Sequence, residues 1–210
     1  AVTSLNGMSA ALLLMDSVQG RLGTTTALLR KGSNPASSVP AAPAAPPAPT
    51  WQAPKALSDA DSKRVLAAVR EAMRSDWQPE MYEDGLPEGQ AFALSEREAL
   101  VILKTGCGAY NCNYSLYQAP LDHPQQARKA SIAEIPVFED LPPNGSVEFD
   151  PASGELSSFT LAMGMGGCGF TQRWRYDGKG FAPIHASMLG TCLGLDSAYW
   201  PVLWRTAEKR

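Results

Sequence analysis

The chain has 210 residues, a net charge of −3 and an isoelectric point near 5.4. That length holds one domain, or one and a half small ones, and buries a true core without cross-links as its only support. The acidic balance gives no basic face of the kind that phosphate recognition needs, so it makes no case for a nucleic-acid partner. The longest early apolar run, AALLLM, is far short of the ~20 residues that span a bilayer, so no transmembrane segment is expected. It is no signal peptide either, because no basic region precedes it and Asp16 follows at once. A start at Ala rather than Met reads as a mature or truncated product.

In chain order, residues 5–22 predict a helix. Met8, Leu12, Met15, Val18 and Leu22 recur at three-to-four spacing, Asn6 suits the N-cap, and Gly20 and Gly23 end it. TTTALL, Thr24 to Leu29, predicts a short β-branched strand. One helix and one strand cannot bury their own apolar faces, so residues 1–32 are expected to be the remnant of a preceding domain. Residues 33–56 are a proline–alanine tract, expected to stay extended as a semi-rigid spacer rather than a docking peptide. Residues 57–210 then form the main domain. Ser58 opens its helix in a capping-box-like pattern with Asp61. Val65, Leu66, Val69, Ala72 and Met73 make the buried stripe, and Lys63, Arg64, Arg70 and Arg74 a solvated side.

From Gln90 the pattern is β. AFAL, ALVILKT and NYSLYQA are strand-like, and IAEIPVF reads as a proline-interrupted edge strand. VEFD–PASG–ELSSF is a hairpin with a four-residue turn. TQRWRY–DG–KGFAPI is the next, with Asp177-Gly178 as a type I′ turn signal. Alternation puts Trp174 and Tyr176 on one face and Arg173 and Arg175 on the other. The fold class expected is α+β and β-rich: an antiparallel sheet or small sandwich of hairpins with one or two peripheral helices.

Four cysteines are present and none forms a CxxC pair. Zinc sites want ligand pairs roughly two to four residues apart, usually with histidine. His123 and His185 lie far from such a pattern, so no metal is expected. Disulfides are the better reading, with three connectivities open. The favoured one joins Cys168 to Cys192, tying two sides of a hairpin region, and Cys107 to Cys112, closing a short turn. Such bonds persist in periplasmic or secreted proteins.

No catalytic or cofactor motif holds up. Gly164, Gly166 and Gly169 match GxGxxG, but an aromatic strand follows where the dinucleotide mechanism needs a helix N-terminus. No serine sits in a GxSxG elbow. His185 reads as a half-buried strand residue and His123 as a loop residue. The carboxylates Glu80, Glu83 and Asp84, and Glu139 and Asp140, fall in proline-rich loops where solvation keeps them ordinary acids. Calcium at Asp150 or Asp177 lacks the DxDxDG spacing. Trp174, Tyr176, Phe181, Tyr199, Trp200 and Trp204, interleaved with Arg173, Arg175 and Arg205, are of the types that dominate interfaces, although a sheet core uses the same aromatics.

GAYN (Gly108–Asn111), FDPASGELSSF, MGMGGCG, WRYDGKGF and Cys192 with YWPVLW resemble a bacterial family catalogued as domain of unknown function 1176; AALLLMDSVQGRLGTTTALLRKG is similar to the middle of its members. The resemblance covers nearly the whole chain. Family members are usually longer, with a preceding region of the invasion-associated locus B type, and typically carry six cysteines, against four here. The resemblance implies an exported cell-envelope protein and supplies no catalytic residues. The function expected is a non-enzymatic binding module, inhibitor- or immunity-like, that recognises a protein or an envelope glycan. Tyr110, Asn111, Asn113, Arg173, Arg175 and Trp200 are its candidate contacts. The alternatives are a hydrolase built on His185 and a structural envelope protein spaced by the tract.

Overall fold

The computed structural model describes residues 7–81, 85–138 and 141–207. They fall into two compact units, residues 1–44 and 45–210.

In the first unit the helix is α1, Met8–Val18, shorter than its periodicity predicts; Asn6 lies outside the described residues. The expected apolar stripe is largely exposed at Met8, Met15, Val18 and Leu22, and the buried helical residue is Asp16. Its carboxylate accepts the Leu28 and Leu29 amides at 2.7 and 3.1 Å, with Arg21 Nε at 3.9 Å. Thr24–Leu29 is therefore not the expected strand: its one ladder contact is an isolated bridge from Thr24 to Asn34. The Thr24 hydroxyl donates to the Arg21 carbonyl at 2.7 Å and accepts from Thr26 N at 3.3 Å. Local side-chain bonds of this kind compete with a ladder, and here they win.

The second unit has three layers. Helix α2 (Asp59–Ala72) covers one face of a four-stranded antiparallel sheet, and a five-stranded antiparallel sheet covers the other. Ser58 caps α2 as expected: its Oγ accepts from Asp61 N at 3.1 Å and donates to Asp61 Oδ2 at 2.7 Å. A short turn, α3 (Arg74–Trp77), follows. The first sheet runs β1 (Glu88–Ala93), β2 (Glu98–Cys107), β3 (Cys112–Pro120) and β4 (Arg128–Lys129), in that spatial order. Strand β2 is apolar on both sides. Ala99, Val101 and Leu103 pack with Val65, Val69 and Trp77, while Leu100 and Ile102 join the core between the sheets.

The second sheet is a simple meander of β5 (Ser146–Asp150), β6 (Glu155–Leu161), β7 (Gly169–Tyr176), β8 (Phe181–Leu189) and β9 (Val202–Arg205). Its inner face presents Phe149, Leu156, Trp174, Tyr176 and Phe181 to the first sheet. Polar ties cross the same gap. The Tyr176 hydroxyl donates to Glu98 Oε2 at 2.9 Å, and burial together with that carboxylate raises the phenol pKa. Buried Gln118 donates to the Lys179 carbonyl at 3.2 Å and accepts from Ser131 N at 3.2 Å.

Two local expectations change. IAEIPVF is no strand, because Pro136 removes a ladder donor; it is an irregular run with one bridge, Ile132 to Phe181, whose Ile135 and Phe138 plug the core. The β7–β8 turn is not a two-residue type I′ turn. Tyr176 pairs with Phe181, leaving residues 177–180 in the loop, because Asp177 Oδ1 accepts the Lys179 and Gly180 amides at 2.8 and 2.9 Å.

The proline–alanine tract divides at the unit boundary, and its second half lies along the five-stranded sheet. Polyproline carbonyls have no internal partners, so they are free to accept. Pro46 O takes Ala207 N at 2.7 Å and Pro49 O takes Arg175 Nη1 at 3.2 Å. Trp51 donates to Pro151 O at 3.1 Å and meets Phe149 and Tyr176 edge-on. Gly154, at φ +68°, makes room for it: a Cβ there would stand 2.3 Å from the indole. Replacing Trp51 by Ala is expected to cost about 2–3 kcal/mol, at or below the lower end for a core tryptophan because the ring is only partly covered. A urea-denaturation midpoint equal to that of the unaltered chain would show that the tract merely passes by.

Candidate functional site

The strands of the five-stranded sheet carry two distinct features, one at an end and one mid-sheet. At the end where β6 leaves and β7 begins, three loops are tied together. Cys107 is bonded to Cys112 across the β2–β3 turn, where Gly108 N donates to Asn111 O at 2.8 Å. The Asn111 side chain then behaves like an extra backbone unit: Nδ2 donates to Leu161 O at 2.8 Å and Oδ1 accepts Leu161 N at 3.0 Å. Tyr110 lies over Gly164, where a Cβ would be 3.1 Å from the ring. Cys168 is bonded to Cys192, joining the β6–β7 loop to the segment after β8. This braced end leaves large apolar groups in solvent: Met165 is 93% exposed, Tyr199 78% and Leu193 64%, with Tyr110 and Met163 half-exposed.

The second feature is a cleft of about 560 Å³ on the outer face of β6–β9. Strand register builds it. Arg173 on β7 stands opposite His185 on β8, and His185 stands opposite Arg205 on β9, so three cation-capable side chains share one row. In a neighbouring row Arg175 pairs with Glu155. Glu155 is gripped by Arg175 Nη2 and, at 3.4 Å, by Arg173 Nη1. A bulge at Ile184 lets His185 meet this row. His185 is half-buried and its Nδ1 has no partner among the described residues. Burial first, and then Arg173, hold its pKa below the ordinary 6.5 against the opposing pull of Glu155.

The sequence-derived contacts are thus divided. Tyr110 and Asn111 belong to the braced end. Asn113, on β3, accepts from Asn144 Nδ2 at 3.0 Å, at the seam where Cys112 pairs with Gly145. Arg173 and Arg175 belong to the cleft. Trp200 offers no surface to a ligand: it is buried, stacked on Phe159 at 5.6 Å, and donates to Leu195 O at 3.0 Å. Glu155 carried no signal of its own in the sequence, and Arg205 could be paired with Arg173 only by register. Among the described lining residues no serine accompanies His185. GxGxxG spans the β6–β7 loop and enters a strand, with no helix to receive a pyrophosphate. Of the loop carboxylates, Glu83, Asp84, Glu139 and Asp140 lie outside the described residues. No helix among the described residues is long and apolar enough to cross a membrane, and no group of three metal-ligating side chains occurs among them.

Comparison with known proteins places these features in a family. The model of a family described as "Protein of unknown function (DUF1176)" matches residues 1–207. The Escherichia coli (strain K12) protein named "Uncharacterized protein YpfG" is 32% identical over 221 aligned residues, covering 97% of this chain. The chain spans 59% of that relative's length. No solved structure matches the chain.

Two outcomes follow from this geometry. Chain-entropy arithmetic gives roughly 3.5 kcal/mol for a cross-link of the Cys168–Cys192 length and roughly 2 kcal/mol for the Cys107–Cys112 length. The C168S/C192S double variant should therefore lower the denaturation midpoint more than C107S/C112S; the reverse order would refute the assignment of the longer bond as the main brace. For His185 the folded pKa lies below the unfolded 6.5, so the unfolded chain binds more protons and stability is lost as pH falls through 6.5 toward the folded value. That slope should vanish in His185→Gln, as read from urea midpoints across the same pH window.

Proposed function

We propose that this chain, which belongs to the family of proteins of unknown function DUF1176, is a non-enzymatic binding module that docks a protein partner with its disulfide-braced loop end. The observation that carries the reading is the pairing of two disulfides and the Asn111–Leu161 clamp with a tip whose Met165 is almost fully solvent-exposed. Met165, Leu193 and Tyr199 are left in water on the connections at this end, and exposed apolar surface of this kind marks interaction sites. A rigid presentation of them lowers the ordering cost of association, which otherwise offsets much of an interface's gain. Methionine adapts to irregular pockets, and tyrosine is a frequent anchor. The complementary partner is a protein with an apolar cleft, such as an enzyme whose cleft the tip would occupy in the manner of an inhibitor.

Export to the periplasm or cell exterior belongs to the same reading. Its support is the two disulfides, which an oxidising compartment sustains and the cytosol does not. The test is retention from cell-envelope extract on the immobilised chain. A stoichiometric protein should be retained, and Met165→Asp should abolish its retention while leaving the thermal midpoint unchanged. Tyr110→Ala should weaken it by about 2 kcal/mol, the size of an interface anchor. Failure of the unaltered chain to retain any protein, or equal retention by Met165→Asp, counts against docking through this end.

A further inference from the structure

We propose that the cleft over β6–β9 is a binding site for a small organic anion, its carboxylate or phosphate head held by Arg173 and Arg205 on either side of His185. This goes beyond the docking reading and shares no residue with it, since the braced loops lie at the ends of these strands and the cleft lies across their outer face.

The first ground is charge. Like charges directly opposite one another across strands are destabilising, yet register sets Arg173, His185 and Arg205 side by side. Five other cations of this unit each have a carboxylate of their own: Arg64, Arg74, Lys104, Arg128 and Lys129. Among the described residues lining the cleft, three guanidiniums stand against one carboxylate, Glu155, which pairs with Arg173 and Arg175, an excess of two positive charges when His185 is neutral. The Arg205 side chain makes no hydrogen bond or ion pair with another described residue, although its backbone belongs to the β8–β9 ladder.

The second ground is unsatisfied polar atoms. Buried polar atoms in folded proteins are nearly always paired, and each exception calls for an explanation, an unseen water or ion among them. Arg175 Nε and His185 Nδ1 are both buried and unpartnered. Both residues line the cleft. Arg175 cannot turn away to find a partner, because its two terminal nitrogens are already committed to Glu155 and Pro49 O.

The third ground is the shape and lining. About 560 Å³ is well within the usual size of a small-molecule site and far larger than a lone oxyanion. Ile184, Val202, Ala48 and Ala207 supply apolar wall beside the cations. A planar guanidinium matches a carboxylate or phosphate with two parallel hydrogen bonds, and the wall suits an apolar body attached to that head. The clasped tract forms part of this wall, so its docking against the sheet completes the site.

Among the described residues, the charged groups facing His185 are Arg173 and Arg175 from β7, Glu155 from β6 and Arg205 from β9, and the tract contributes Ala48. A bound anion adds negative charge next to the imidazole and favours its protonated form. Binding therefore takes up a proton, and affinity rises as pH falls.

The experiment is isothermal titration of the full chain at physiological ionic strength with three probes: hexyl phosphate, hexanoate and inorganic phosphate. At least one hexyl probe should bind, and more tightly than inorganic phosphate. Hexyl phosphate ahead of hexanoate assigns a phosphate head, and the reverse assigns a carboxylate. Arg205→Ala should weaken the better probe by roughly tenfold or more, the loss of one charge-assisted pair, with an unchanged thermal midpoint. Affinity should be higher near about pH 6 than near about pH 8, where an ordinary imidazole is neutral, and His185→Gln should flatten that dependence. Met165→Asp should bind the probe normally, which separates this site from the docking end. Absence of binding by both hexyl probes, inorganic phosphate binding as tightly as the better hexyl probe, or undiminished binding by Arg205→Ala would overturn the proposal.

Discussion

The burial of β2 on both faces is the constraint from which the rest of the second unit follows. Ala99, Val101 and Leu103 point to α2, and Leu100 and Ile102 point to the five-stranded sheet. A strand that is apolar on both sides cannot face water anywhere, so it requires a layer above and a layer below. The helix supplies one layer through Val65, Val69 and Trp77. The second sheet supplies the other through its inner aromatic face. Glu98, at the start of β2, fixes how that sheet sits by accepting the Tyr176 hydroxyl while Arg128 holds its other oxygen.

Once its inner face is spent on that core, the five-stranded sheet has an outer face free for polar groups. Period-two alternation then places Arg173 and Arg175 outward because Trp174 and Tyr176 go inward. The same meander brings its β6–β7 and β8–β9 connections to one end, where the four cysteines and Asn111 restrain them. Core, cleft and braced end are thus three consequences of one stack of layers. The chemistry separates along the strands: cationic and partly enclosed mid-sheet, apolar and solvent-facing at the tip.

Segments without regular structure are held by single polar groups at defined places. Asp16 takes two consecutive backbone amides in the first unit, and Asp177 does the same in the β7–β8 turn. Pro46 and Pro49 carbonyls receive Ala207 N and Arg175. For the backbone amides a short acceptor satisfies donors that a ladder would otherwise have taken. That is why residues 24–29 and the turn at 177–180 depart from their propensity, and why half of a proline-rich tract becomes part of a domain's wall.

The sequence by itself determined what depends on neighbours along the chain. Alternation in TQRWRY assigned the faces of β7, the Pro151–Gly154 spacing set a four-residue hairpin loop, and Ser58 with Asp61 marked the start of α2. The antiparallel, hairpin-built class followed from those. Tertiary structure decided what depends on register and on long-range acceptors. Arg173, His185 and Arg205 are far apart in the chain and meet only because β7, β8 and β9 pair with one bulge at Ile184 and another at Ala186/Ser187. Asn111 reads as a surface residue until Leu161 is beside it, and Trp200 reads as an exposed aromatic until Phe159 is stacked on it. A local pattern fixes which way a side chain points; only strand pairing fixes which other side chains it will find there.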